Sequence, residues 1–499
     1  DQSLTLPEEE ENPKHNMKNL IFYLFCLTSI HLLSQNHVDA LRYSYLDPLG
    51  TARLSALSGS FSSLGGDLSS IHQNPAGLAI YRTDEVGFTF SSQVTTNEAK
   101  YFNNSFQSDQ STFYIQNWGY VKTFRQNDNK WNRFSFGLTY NRIKDFNEDI
   151  IIFGNSSESR VNSFLNNSQG LNYEDLNPFS EHLAFSTYLI DTLGQTNIYE
   201  SATNSNIQND ISHQNIVKKS GYMDEFSVSM SGAYNDLLFV GLQLGFLGIN
   251  YQELNSYTES GFEPNNDYEW GNLEQFIYSQ DLNVIGGGLN YKLGLILKPV
   301  KFLRIGAAFH SKTHFEIEEN WESSMTTSFT NENMGVISDI SPYGFGNYTL
   351  RTPSKTISSL GFIIAKKGLI NLELEQIDYS SSKLEADYYN FLEENSNISN
   401  FYKKTKNIRL GTEWNFGDIS LRAGLAIYEN PLSSNSTELE DEERIVQSFG
   451  IGYRSNAYFF DFAIMNAYEK QTYYMFNGAS ATEISKSRQN LIFSLGYKF

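Results

Sequence analysis

The sequence predicts an all-β protein, a 14-stranded antiparallel transmembrane β-barrel with a small N-terminal hatch of short helices in its lumen. Three observations lead there. Segments from residue 85 to the last residue alternate apolar and polar side chains with period 2, which puts one set on each face of a strand. Connections between the segments alternate strictly between tight and long, the pattern of an outer-membrane barrel with short turns at one end and long loops at the other. The chain carries 31 Tyr and 37 Phe among 499 residues, in keeping with the aromatic girdles of such barrels. The mean hydropathy of −0.41 is no objection, because only alternate strand residues face lipid.

Taken in chain order, residues 1–16 are acidic, precede Met17 and read as an upstream extension. Residues 17–34 have a basic start (Lys18), an apolar stretch and a polar exit, the form of a secretory leader. The lone Cys26 lies there after Phe25, which speaks against a lipid anchor, and one cysteine excludes a disulfide framework or Cys-based zinc site. The expected location is the outer membrane of a Gram-negative cell. A formal net charge of −21 argues against nucleic acid as a partner.

Residues 35–84 are expected to fold back as the hatch. A barrel of this size encloses more space than side chains alone fill, and "TARLSALSG" followed by Asp67 offers two short helical turns, the first ended by Gly59. Asn74-Pro75 breaks any helix and Gly77 supplies a turn.

Residues 85–499 form the barrel. Strands are expected at 85–95, 112–124, 131–145, 223–234, 237–253, 279–297, 302–315, 352–365, 369–380, 405–416, 418–430, 445–455, 457–470 and 487–499. In the last, Leu491, Phe493, Leu495, Tyr497 and Phe499 share one face; Ile370, Leu372 and Leu374 do so earlier. Tight turns fall at 125–130, 235–236, 298–301, 366–368, 417 and 456, and long loops at 96–111, 146–222, 254–278, 316–351, 381–404, 431–444 and 471–486.

The stretch "GTARLSALSGSFSSLGGDLSSIHQNPAGLA" resembles the N-terminal hatch of the FadL/TodX/OmpP1 family of outer-membrane transporters for hydrophobic compounds. Asp67 matches the acidic position and Asn74, Pro75, Ala76 and Gly77 the N-P-A-G motif. "DALRYSYLDPLGTAR" and "GYRSNAYFFDFAI" are similar to members from the Bacteroidetes, and Tyr497 and Phe499 look like the C-terminal signal read by the outer-membrane assembly machinery. Loop 146–222 is long for the family. The resemblance implies capture of a hydrophobic ligand by external loops, an apolar pocket in the upper lumen, hatch movement, and exit through a gap where a strand is kinked. The third strand alternates cleanly (Phe134, Phe136, Leu138, Tyr140), whereas the sixth changes phase across Gly286, Gly287 and Gly288, which reads as a β-bulge or kink and either an exit window or a plain structural feature.

Arg304, Glu373, Glu375, Arg409, Glu413, Arg422 and Asp461 fall at inward positions with both signs of charge. Two readings stay open: a network that holds the hatch, or an ordinary water-lined lumen. No catalytic residue is assigned, since no G-x-S-x-G or comparable signature accompanies the histidines. No metal or cofactor is expected either: His310 and His314, four apart on a strand, are separated by about 13 Å. The acidic run 437–444 reads as a solvated external loop, with cation bridging to lipopolysaccharide as the alternative. Loop 146–222, with Phe164, Leu165, Phe179, Leu183 and Phe185, is long enough for a ligand-capturing lid and equally suits a surface partner.

The leading functional reading is passive transport of hydrophobic small molecules, such as long-chain fatty acids or aromatic hydrocarbons, by a monomer in contact with outer-membrane lipid and lipopolysaccharide. The alternative is a partner-binding scaffold or shuttle of the type 9 secretion kind. A plain porin is opposed by the hatch, and energy coupling by the absence of any evident TonB box.

Overall fold

A computed structural model describes residues 37–126, 130–194, 196–203, 210–265, 268–331, 334–365, 367–434 and 442–499. The expected extension 1–16, the leader 17–34 and most of the acidic run 437–444 lie outside the described residues.

The strands are β1 (Glu85–Tyr101), β2 (Asn104–Arg125), β3 (Trp131–Asp145), β4 (Glu148–Ser156), β5 (Ile190–Thr192), β6 (Tyr199–Ser201), β7 (Ile211–Tyr234), β8 (Leu238–Ser260), β9 (Leu273–Val300), β10 (Leu303–His310), β11 (His314–Phe329), β12 (Val336–Ile340), β13 (Gly344–Arg351), β14 (Lys355–Ile364), β15 (Gly368–Asp378), β16 (Lys383–Glu385), β17 (Lys404–Phe416), β18 (Ile419–Tyr428), β19 (Arg444–Arg454), β20 (Tyr458–Tyr473) and β21 (Thr482–Lys498). Fourteen antiparallel staves close into a barrel, with β10 continued by β11 and β13 by β14. Closure is the ladder of β1 on β21, from Glu85↔Lys498 to Lys100↔Glu483. A closed sheet leaves no free edge, as hydrocarbon demands of a sheet that spans it. None of the helices among the described residues is long and apolar enough to cross a membrane.

The alternation read from sequence becomes two surfaces. Leu244, Leu293, Leu372, Leu421 and Phe493 point outward and are exposed, while Gln243, Asn371, Arg422 and Ser494 on the same strands are buried inward. An apolar band of this extent is stable only against lipid. At the tight-turn end Tyr497 packs at a tilt on Tyr458 and stacks on Phe499, with ring centroids 5.0 and 5.7 Å apart. The Asn235–Asp236 turn has positive φ at both residues, the primed hairpin geometry that matches strand twist.

The long loops are more structured than their composition suggests. The first hairpin stays paired to Tyr101↔Asn104. Within 146–222, β4 adds to β7, and the segment between carries helices at Arg160–Ser168 and Glu181–Ser186 and the hairpin β5–β6. Phe164 and Leu183 are buried in an apolar cluster at the mouth with Tyr257, Phe276, Tyr278 and Ile484, and Leu165 and Phe185 pack against it. Buried Glu259 anchors this cap: it accepts from the Ser159 hydroxyl (2.6 Å), the Arg160 N–H (2.6 Å) and the Tyr257 hydroxyl (2.5 Å).

The kink expected at Gly286–Gly288 is not there. β9 keeps unbroken register with β8 from Leu238↔Leu297 to Ser260↔Gln275. The apolar residues change face while the backbone runs straight: Leu289, Tyr291 and Leu293 face lipid, whereas Val284 is buried inward in an apolar lumen cluster. The irregularity sits in the facing stave, where Ser311–Thr313 separate β10 from β11, and in the next, where Thr352–Ser354 with Pro353 separate β13 from β14. A second seam opens beside the third strand, whose register with β7 shifts between Arg142 and Lys144. Pairing of β2 with β3 ends at Asn117↔Asn141, and Gln116 caps the seam by donating to the Arg142 carbonyl (2.7 Å).

Leu244→Arg, on the lipid face of β8, is expected to lower barrel stability by about 2–4 kcal/mol, read by reversible urea unfolding in lipid vesicles. A change below about 0.5 kcal/mol would contradict the assignment of that face to lipid.

Candidate functional site

The segment from His37 to Tyr81 fills the lumen. It contains three short helices, α1 (His37–Arg42), α2 (Ala52–Ser55) and α3 (Ser70–Gln73), then a 3-10 stretch Pro75–Ile80. Thr51 caps α2 by accepting from the Leu54 N–H (3.3 Å), and Gly59 takes φ +77° after it. Asp67 accepts from the Thr51 hydroxyl (2.8 Å) and the Ser69 N–H (3.0 Å), so it ties the two turns together. Burial pushes its carboxyl above the usual range, against the pull of Arg53.

Asn74, Pro75, Ala76 and Gly77 form the seat of this segment on the wall. Asn74 ends α3 in extended conformation, as a residue before proline must. Its side-chain oxygen accepts from the Ala76 N–H (3.1 Å) and its amide donates to the carbonyls of Ser62 (2.7 Å), Leu295 (3.2 Å) and Ala307 (3.4 Å), the last two on β9 and β10. Two wall glycines make the approach possible. A Cβ at Gly294 would lie 2.1 Å from Asn74 Oδ1, and one at Gly241 would lie 2.3 Å from the Pro75 carbonyl carbon. Gly77 also meets Gly65 closely, where a Cβ on Gly65 would lie 2.7 Å from the Gly77 Cα, and Arg133 donates to the Ala79 carbonyl (2.8 Å). Further round, Ser58 bonds Ser448 (2.7 Å) and Ser60 donates to the Asn371 carbonyl (3.0 Å).

The seven inward charges divide. Glu413 takes both Arg53 of the hatch (2.7 and 2.9 Å) and Arg422 (2.6 Å), and Arg422 continues to Asp461 (2.6 Å). Glu373 accepts from the Phe61 (3.2 Å) and Ser62 (2.8 Å) N–H groups of the hatch and from Arg409 (2.7 Å), which also binds Glu375 (2.6 Å). Arg304 joins neither cluster and donates to the Leu64 carbonyl (2.5 Å). Sequence reasoning missed three further contacts. Glu225 on β7 and Lys292 on β9 pair (2.7 Å) around hatch His72. Asp47 binds Arg444 (2.7 Å) and Arg488 (2.6 Å). His310 lies inward at 2.8 Å from the Gln73 carbonyl, while His314 is exposed on the outer face. Among the described residues no group of three or more His, Cys, Asp or Glu is placed to hold a metal ion.

Above the hatch lies a cavity of about 100 Å³. Its floor is charged (His72, Lys292, Lys355, Glu375), its roof apolar (Ile143, Met223, Leu247, Phe315), and it extends to Ser311 and Pro353 at the wall break. The apolar cluster over it includes Tyr43, Ile249, Tyr251, Val284 and Leu350.

Gly294→Leu is expected to unseat Asn74-Pro75, seen as faster proteolysis within residues 50–80 and raised ion conductance in planar bilayers. Gly287→Leu, where a Cβ meets nothing within 4 Å, is expected to change neither. Equal behaviour of the two variants would refute the seat.

The model of the family described as outer membrane protein transport protein (OMPP1/FadL/TodX) matches residues 196–495. No curated protein matches this chain. Among solved structures, a FadL homologue of Pseudomonas aeruginosa aligns over 91% of this chain and 99% of its own at 13% identity, with a TM-score of 0.54. The toluene transporter TodX of P. putida aligns over 91% and 99% at 14% identity (TM-score 0.52), and the toluene transporter TbuX of Ralstonia pickettii over 91% and 99% at 13% (TM-score 0.53). At these identities the structural likeness is one of fold. On the family match, which spans more than half its length, this chain belongs to the OMPP1/FadL/TodX family of outer-membrane transport proteins and is not an enzyme.

Proposed function

We propose that the protein is a passive, hatch-gated channel that carries hydrophobic small molecules, such as long-chain fatty acids or aromatic hydrocarbons, across the outer membrane. The observation that carries this reading is the placing of an apolar-roofed cavity directly on a segment that fills the lumen. The Asp67 turn and the Asn74–Gly77 seat act as the fixed part of the gate. The Arg53–Glu413 ion pair and the bonds from the Phe61 and Ser62 N–H groups to Glu373 tether it; Arg409 and Arg422 hold those two carboxylates in the wall, Arg422 in turn on Asp461, and Arg304 stands apart from them. Removing one partner of such a buried pair costs about 3–5 kcal/mol, enough to keep the gate shut until a ligand compensates. The cap of residues 157–203 acts as the lid over the mouth, and the cavity's reach to the break at Ser311 and Pro353 gives a ligand a path to the wall. Export follows the leader 17–34, and Tyr497 and Phe499 serve the assembly machinery. Outside, the barrel meets lipid and lipopolysaccharide.

The test is binding of a fluorescent long-chain fatty acid to the refolded, detergent-solubilised protein. Saturable binding is expected, about tenfold weaker in Leu247→Trp, which fills the cavity. Uptake by cells is expected to be lost in the Asn74→Ala, Pro75→Ala variant. Absence of saturable binding for both this probe and a fluorescent aromatic hydrocarbon would overturn the reading.

A further inference from the structure

The underside of the hatch carries a second cavity, of about 330 Å³, at the tight-turn end of the barrel. In a chain of formal charge −21, its lining holds five cations, Arg53, Arg82, Arg304, Arg454 and Lys498, and one carboxylate, Glu85. Three of the cations have acids to meet: Arg53 is held by Glu413, Arg454 reaches Asp461 (3.2 Å) and Lys498 lies 3.8 Å from Glu85. Arg82 and Arg304 have none within ion-pair distance among the described residues. One wall of the same cavity is apolar: Leu64 and Leu369 belong to a single buried cluster, and Ile363 packs against it. Arg304 stands beside it, its guanidinium turned to the Leu64 carbonyl.

Two guanidinium groups without acids beside an apolar wall form a site for one chemical class. We infer that this cavity binds amphiphilic monocarboxylates, with the carboxylate on Arg82 and Arg304 and the chain along Leu64, Ile363 and Leu369. Arginine offers paired N–H donors that match a carboxylate. Neutral ligands have no use for the site. The inference rests on the transport reading, and the test separates the two.

The protein in phosphatidylcholine vesicles is photolabelled with hexadecanoic acid and with hexadecanol, each bearing a diazirine on its chain, and the labelled peptides are mapped. Both probes are expected to label the upper cavity around Met223 and Phe315. Only the acid is expected to label the lower one around Leu64 and Ile363. Arg82→Gln with Arg304→Gln is expected to reduce lower labelling by the acid about tenfold with the upper unchanged, and the double lysine variant to keep it. Equal lower labelling by acid and alcohol, or lower labelling indifferent to the glutamine variant, would overturn the inference. So would an unlabelled lower site beneath a labelled upper one, which leaves transport standing. No label at either site would overturn the transport reading and this inference with it.

Discussion

Backbone meets backbone where Asn74-Pro75 rests on Gly241 and Gly294, and the position of everything else in the lumen follows from that contact. Side chains at those wall positions would hold the hatch off by the depth of a Cβ. With none there, the Asn74 amide reaches carbonyls on β9 and β10 directly. The same device recurs at Gly424, where a Cβ would lie 2.3 Å from the Leu57 carbonyl carbon. Close seating brings Glu373, Glu413 and Glu225 within reach of hatch N–H groups, Arg53 and His72. Van der Waals contact thereby sets the distances at which the ion pairs act.

Those pairs are better understood as devices of position than of stability. Desolvating both members of a buried pair offsets most of their attraction, whereas stranding one of them is expensive. A hatch held this way resists partial displacement strongly, since a small shift leaves several charges alone at once. The apolar cluster above the hatch has no such geometry and tolerates rearrangement more readily.

The barrel was legible in the sequence because a lipid-facing strand advertises itself residue by residue: Leu491, Phe493 and Tyr497 read outward in sequence and lie outward in structure. The change of phase at Gly286–Gly288 was real but misread. Periodicity reports which face is apolar, and in β9 that preference inverts where the outer surface ceases to meet lipid and the lumen turns apolar. No bend in the chain is needed. The pairing of Glu225 with Lys292 was beyond reach because it depends on register between strands far apart in sequence, and those of Asp47 with Arg444 and Arg488 because they depend on where the lumen segment lies against the wall. The seat itself left a trace, glycines at inward positions of β8 and β9, but glycine in a strand has several meanings until the facing chain is known. The scattered aromatics of loop 146–222 lacked periodicity because they pack in a cap of short helices and a hairpin.

The hatch also touches the last strand. The Ala52 N–H donates to Ser494 on β21 (2.8 Å), and Ser494 in turn bonds Thr89 on β1 (2.7 Å). Asp84 exchanges backbone hydrogen bonds with Phe499 just past the end of β21 (3.1 Å each way). The lumen segment therefore has no complete binding surface until the terminal strand has been laid beside the first. Although it precedes every barrel strand in the chain, it is among the last parts to find its place, and barrel closure and gate seating become one event in the protein's biogenesis.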